Sequence, residues 1–178
     1  MVTSIRLYSL SYSELRTYMM AAACVVCNIA LPQFFHLIPQ GGIIFAPLSL
    51  VILVAAYKLG WRVGLLAAIA SPLVNHMLFG QPAAGVMTLM TLKLALLAVI
   101  AGLTAQHFKE VSLRLIAGVV LAAEFLGGIA ELALTGAIAA TIADFTIGWP
   151  GLLLQIFGTP AILRASLPHL LYREGKFR

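Results

Sequence analysis

Apolar residues run in long, unbroken stretches along the chain, and polar residues collect in the short segments between them. A helix needs about 20 residues to cross about 30 Å of hydrocarbon, because each residue adds about 1.5 Å. Six stretches come near that length and predict transmembrane helices at residues 15–36, 43–57, 60–78, 83–106, 113–134 and 149–170. The second stretch is short for a span, and residues 137–145 before the last are ambiguous.

The ends of these stretches are marked by proline and glycine. Pro39, Gly41 and Gly42 form a turn that ends the first stretch. Pro150 is expected at the first helical position of the last span, where a missing N–H costs nothing. No run alternates over ten residues, and lipid accepts only helices or closed barrels, so strands are not expected. The sequence predicts an all-α polytopic membrane bundle with a single domain over residues 1–178.

Small residues recur at four-residue spacing in two of the predicted spans. The third contains Gly60, Gly64 and Ala68, and the fourth contains Ala98 and Gly102. This spacing lets two helix backbones approach closely in a membrane. It predicts tight helix packing inside the bundle.

Composition identifies the solvent that most of the surface meets. Hydrophobic residues make up 62% of the chain and charged residues 10%, and the mean hydropathy is +1.04. An ordinary soluble domain is about half apolar and about a quarter charged. A surface with so few charges is suited to lipid, so the composition supports membrane-spanning helices.

Basic residues occupy alternate connections between the stretches. Ten of the eleven lie near the N-terminus, between spans two and three, between spans four and five, or after span six: Arg6, Arg16, Lys58, Arg62, Lys109, Arg114, Arg164, Arg173, Lys176 and Arg178. The connections near Gln40, Gln81 and residues 136–148 contain none. The positive-inside rule therefore places both termini in the cytoplasm. Because the basic residues are dispersed, a nucleic-acid partner is not expected.

Three ionisable residues lie inside the predicted spans. Lys93 and Glu124 are near mid-membrane, and Glu131 follows Glu124 by seven residues on the same helix face. A charge at this depth costs a few kcal/mol unless it is paired or hydrated. One interpretation is a structural Lys93–Glu124 ion pair, and the other is a ligand or ion site that uses at least one of the three.

A second polar group is predicted near the outer ends of the spans. Each member alone is typical of an interfacial cap, but together they suggest an outward-facing polar cavity. With the intramembrane charges, the predicted substrate-binding residues are Gln33, His36, Asn75, His76, Lys93, Glu124, Glu131 and Asp144. Two acids against one base among Lys93, Glu131 and Asp144 slightly favour a cationic or amine-bearing cargo.

Several chemistries have no motif in the sequence. It contains no phosphate-binding G-x-x-x-x-G-K-[ST] loop, no H-E-x-x-H and no G-x-S-x-G. Its four histidines are scattered over both predicted sides of the membrane, which argues against a histidine metal site. Cys24 and Cys27 lie inside an apolar run and are interpreted as small core residues rather than a redox pair. No catalytic residue, metal or cofactor is predicted.

The order of elements resembles the substrate-binding S component of energy-coupling factor (ECF) vitamin transporters. The similarity lies in the turn at residues 39–42, the run at 56–64, the segment at 78–82 and the small-residue end of span four. It implies a six-helix subunit of a bacterial or archaeal cell membrane that captures a vitamin-like small organic nutrient from outside. It also implies two kinds of partner, an ECF transmembrane scaffold and a pair of cytoplasmic ATPase subunits.

The sequence departs from that family at two places. The family commonly has Ala-xxx-Ala in its first helix for contact with the scaffold, whereas the nearest match here is Ala23-xxx-Cys27. The metal-binding branch begins with Met-His, whereas this chain begins with Met1 and Val2, which argues against nickel or cobalt as cargo.

Two other functions remain open on the sequence alone. A self-sufficient carrier could use Lys93, Glu124 and Glu131 as a proton relay, although no repeat of one half in the other is evident. The other function is an intramembrane enzyme. The sequence shows no recognisable nucleophile with an adjacent base, but His36 or His76 near Glu131 keeps this hypothesis open.

Overall fold

The computed structural model describes residues 3–4, 10–35 and 41–165 of the chain. The helices in these ranges are α1 (Leu15–Phe35), α2 (Gly41–Phe45), α3 (Pro47–Leu59), α4 (Trp61–Phe79), α5 (Ala84–Phe108), α6 (Leu113–Thr135) and α7 (Ile138–Ala165). Five of them, α1, α4, α5, α6 and α7, are long and apolar enough to cross a membrane, judged by length and composition. The predicted all-α polytopic bundle is therefore confirmed as the fold class.

The second predicted span is divided in two. The break lies at Ala46, whose backbone adopts the left-handed conformation (φ 42°, ψ 55°), and Pro47 then begins α3. The proline suits this position because the first turn of a helix leaves its N–H groups unbonded anyway. The 13 residues of α3 extend roughly 20 Å, which is less than the thickness of a bilayer core.

The last predicted span begins too late in the sequence. Helix α7 starts at Ile138 and continues through both Pro150 and Pro160, so Pro150 does not mark its first turn. Membrane helices accept an internal proline because neighbouring helices and side chains satisfy the backbone groups that it frees. Residues 166–170 of the predicted span lie outside the described residues.

Helix α5 packs against α3, α4 and α6, and the short, largely buried α3 packs against α1, α4, α5 and α7. Helices α3, α4 and α5 approach one another closely at small residues, as predicted. A Cβ atom added to Gly64 of α4 would lie 2.6 Å from the Ala56 Cβ and 3.2 Å from the Ala98 Cβ. Because one added Cβ would meet both Ala56 of α3 and Ala98 of α5, these two helices lie against the same face of α4, and they also pack against each other.

One end of the bundle gathers the connections that carry basic residues. The Tyr57 hydroxyl at the end of α3 donates to the Glu110 carbonyl, 2.6 Å away, between α5 and α6. The Arg62 guanidinium lies over the rings of Tyr12 and Trp61, at 5.6 and 5.1 Å from their centroids. Arg114 and Arg164 line one pocket between the start of α6 and the end of α7.

A short strand pair also lies at this end and was not expected from the sequence. Strand β1 (Thr3–Ser4) pairs antiparallel with β2 (Glu110–Val111), with Thr3 opposite Val111. The pair joins the N-terminal segment to the connection between α5 and α6. Two residues are too few for an alternating pattern to be visible in the sequence.

The opposite end of the bundle carries turns without basic residues. Helices α4 and α6 end at Gly80 (φ 70°) and Gly136 (φ 68°). The N–H groups of these glycines donate to the carbonyls of His76 and Leu132, which closes the last turn of each helix. Glycine suits both positions because a left-handed backbone carries no Cβ penalty there.

Reporter fusions should assign the two ends to opposite compartments. A fusion after Lys109 or Arg178 is expected to report the cytoplasm, and a fusion after Gln81 the outside, because basic loops are retained on the cytoplasmic side. Alkaline phosphatase and green fluorescent protein, which are active on opposite sides, provide the measurement. The same compartment for Lys109 and Gln81 would contradict the arrangement.

Candidate functional site

A cavity of about 770 Å³ opens inside the bundle, within the range of about 300–1,000 Å³ that small-molecule sites occupy. Each of the seven helices contributes to its wall. The wall reaches from the turn at Gln81, which lies at the end without basic residues, to Lys93 in the middle of α5. The cavity therefore occupies the half of the bundle that the charge pattern places on the outside.

Most of the cavity wall is apolar, with a small number of polar side chains. Among the described residues these are Gln33, Ser49, Asn75, Gln81, Lys93, Glu124 and Gln155. An apolar wall with a few placed polar groups is typical of a site that encloses and orients a small molecule.

Lys93 connects α5 to α6 through an ion pair. Its Nζ lies 2.6 Å from Oε2 of Glu131, and the two side chains are 19% and 6% exposed. The lysine stem passes over Gly127, where an added Cβ would be 3.0 Å from the Lys93 Cγ. Glu124, Gly127 and Glu131 share one face of α6, because residues three, four and seven apart align on a helix.

The predicted structural pairing named Glu124, and the carboxylate seen at 2.6 Å from Lys93 belongs to Glu131. Glu124 lies about two turns away on the same face and lines the same cavity as Lys93. The three predicted intramembrane charges are thus brought together. A salt bridge with both partners largely removed from water has strong hydrogen-bonding character.

Asn75 belongs to a polar network that joins α4 to α1. Its Nδ2 donates to the backbone carbonyls of Asn28 (3.0 Å) and Ser71 (2.9 Å). The Asn28 carbonyl would normally bond to the N–H four residues later, but that residue is Pro32, which has none. Asn75 therefore supplies the donor that the proline removes. In addition, the Asn28 Nδ2 donates to the Ser71 hydroxyl at 2.9 Å.

His76 is turned toward the connection between α4 and α5 and is not part of the cavity wall. Its Nδ1 lies 2.8 Å from the Pro82 carbonyl oxygen. A carbonyl can only accept, so Nδ1 must carry the proton and donate. In this geometry the imidazole fixes the turn that closes the end of the cavity near Gln81.

The eight predicted site residues divide into three groups. Gln33, Asn75, Lys93 and Glu124 line the cavity. Glu131 contacts Lys93, and His76 bonds to the turn. His36 lies outside the described residues, as does the side chain of Asp144.

Gln155 of α7 lines the cavity and was not predicted. It is only 4% exposed. A single amide in an apolar run carries no charge and so gave little signal. The predicted start of the last span at residue 149 also placed Gln155 near the outer end of a helix, whereas α7 begins 11 residues earlier, at Ile138, and places it well inside.

Comparison with known proteins gives no matching family, no similar curated protein and no similar solved structure. The function is therefore argued from the cavity and from the surfaces around it.

Proposed function

We propose that the chain is the substrate-binding membrane subunit of an ECF-type importer, which captures a vitamin-like small organic nutrient from outside. The observation that carries the proposal is the cavity of about 770 Å³ with its few polar groups. Its wall reaches the end of the bundle without basic residues, which the positive-inside rule assigns to the outside. A binding subunit needs such a site, and it needs no nucleotide site of its own.

The exposed face of α1 supports a membrane partner. Ala22, Ala23, Val26 and Cys27 are all exposed there. Cys27 was interpreted as a core residue, and its exposed position corrects that interpretation. Small residues on a lipid-facing surface let another helix approach closely. This face is the proposed contact with the ECF scaffold, which in turn would join the two ATPase subunits.

Purification of the tagged chain from its native cells should recover a membrane scaffold and two proteins with phosphate-binding loops. Ala23→Trp should reduce their yield about tenfold, because a large ring on α1 prevents close approach of a partner helix. Mass spectrometry of the purified complex gives the measurement. Ile129→Trp on α6 is the matched control, since Ile129 is also exposed, at 50%, but on another helix.

A chain that purifies without ATPases, or an Ala23→Trp variant that retains them fully, would contradict the proposed partnership. The control also matters, because equal loss with Ile129→Trp would indicate a general effect of tryptophan on membrane insertion.

A self-sufficient proton-coupled carrier is the second candidate, favoured by the Lys93–Glu131 pair and by Glu124 at the cavity wall. Ionisable residues inside a membrane often form proton pathways. Proteoliposomes that contain only this chain separate the two functions. Uptake of a bound nutrient driven by a proton gradient alone would favour the carrier, and uptake that requires added scaffold, ATPases and ATP would favour the importer.

A further inference from the structure

The Gln155 side chain is a buried amide that faces the cavity without a partner among the described residues. The residue is 4% exposed and lines the cavity, and its side chain makes no hydrogen bond with any described residue. Its polar atoms are not among the enclosed side-chain atoms that lack a partner, so they are open to the cavity. A ligand that offers a donor and an acceptor can satisfy both sides of this amide.

Asn75 offers the cavity an acceptor. Both of its Nδ2 protons are used by the carbonyls of Asn28 and Ser71, which also fixes the orientation of the amide. Its Oδ1 accepts from no residue in the described part of the chain and is not enclosed by protein. Asn75 can therefore accept a hydrogen bond from a ligand but has no proton left to donate.

The ionisable groups near the cavity also disfavour an anion. The described groups are one ammonium, on Lys93, and two carboxylates, on Glu124 and Glu131. Their formal charges of +1, −1 and −1 sum to −1. The ammonium is already within 2.6 Å of Glu131. A carboxylate ligand would have to compete with Glu131 for this ammonium, and it would meet an acceptor at Asn75 that cannot donate to it.

We propose that the cavity selects its ligand by hydrogen-bond donors: a small molecule that turns an N–H group toward Asn75 Oδ1, and a lactam or carboxamide edge toward Gln155. The amide of Gln155 presents a donor and an acceptor side by side, which matches such an edge in two hydrogen bonds. Simple carboxylates are disfavoured, because Asn75 has no proton left to donate to them. This inference rests on the proposed function in one respect, namely that the cavity is the place where the nutrient binds.

Two matched pairs of probes test this selectivity on the purified chain. Pyridine-3-carboxamide is compared with pyridine-3-carboxylate, and 2-amino-4-oxopteridine is compared with its 6-carboxylate, by native mass spectrometry at millimolar concentrations. At least one carboxamide or lactam should bind, about tenfold or more tightly than its carboxylate partner. Gln155→Met should weaken that binding about tenfold, the effect of losing roughly 1.4 kcal/mol of hydrogen bonding.

The stability of Gln155→Met distinguishes a ligand-binding residue from a structural one. Without ligand the variant should melt at the same temperature as the natural chain or higher, because no described residue loses a hydrogen bond. If Gln155 were structural, its replacement would instead lower the melting temperature. Gln106→Met is the control. Gln106 lies near the C-terminal end of α5 and is not part of the cavity wall, so this variant should leave probe binding unchanged.

Three results would overturn the inference: tighter binding of the carboxylates, unchanged binding in Gln155→Met, or binding of none of the four probes. These results leave the importer assignment in place, because they concern only which ligand fits. Conversely, uptake that proceeds without ATPases would overturn the importer and leave the ligand selectivity standing.

Discussion

Lys93→Met should destabilise the folded chain by about 3–5 kcal/mol. The carboxylate of Glu131 lies in a side chain that is 6% exposed, and Lys93 is its only side-chain partner among the described residues. Methionine fills much of the space of the lysine stem beside Gly127 but leaves the carboxylate buried without a counter-ion. Breaking one side of a buried pair is costly for that reason. Unfolding in mixtures of mild detergent and dodecyl sulfate provides the measurement.

A second substitution should recover most of this loss. In Lys93→Met/Glu131→Leu the charge of Glu131 is removed together with that of Lys93, and an apolar pair can be as stable as a buried ion pair. Lys58→Met is the matched control, because Lys58 lies at the basic end of the bundle and makes no ion pair with a described residue; its cost should stay under about 1 kcal/mol. If the double variant is as unstable as the sum of the two single variants, the pair does not act as a unit.

The long helices could be predicted because their apolar runs are unbroken and their connections are short. The predicted spans at 60–78, 83–106 and 113–134 correspond to α4 (Trp61–Phe79), α5 (Ala84–Phe108) and α6 (Leu113–Thr135). Proline explains the errors. It can begin a helix, as Pro47 begins α3, or lie inside one, as Pro150 lies inside α7. Tertiary contacts decide between these uses, so a sequence pattern does not separate them.

In the candidate site, the sequence predicted how deep each charged residue lies but not which residue it contacts. The depth of Lys93, Glu124 and Glu131 follows from counting residues along a helix. The choice of Glu131 as a close partner depends on how α5 and α6 are rotated and offset, and the seven-residue spacing makes both glutamates suitable. Asn75 was predicted as a site residue because it is polar. Which of its atoms faces a ligand depends on Pro32 of α1, because the Asn28 carbonyl that this proline leaves without a donor takes a proton of the Asn75 amide.

Gly102→Ala should cost about 1–3 kcal/mol, because α5 and α4 touch through their backbones at this residue. A Cβ atom on Gly102 would lie 2.5 Å from both the Cα and the Cβ of Trp61. A backbone atom cannot rotate away as the end of a flexible side chain can, so the start of α4 must shift. The shift would move the Trp61 ring, which the Arg62 guanidinium covers at 5.1 Å. Detergent unfolding measures the cost, and Trp61 fluorescence measures the shift.

Gly118→Ala is the matched control, since Gly118 lies within α6 and no atom would lie within 4 Å of its added Cβ. The higher helix propensity of alanine should leave that variant unchanged or more stable by up to about 1 kcal/mol. The chain has two tryptophans, so a Trp149→Phe background makes Trp61 the only one that fluoresces. Because the clash and the ring displacement have one cause, they should occur together in Gly102→Ala. Unchanged Trp61 emission with unchanged stability would mean that α4 and α5 do not meet at Gly102.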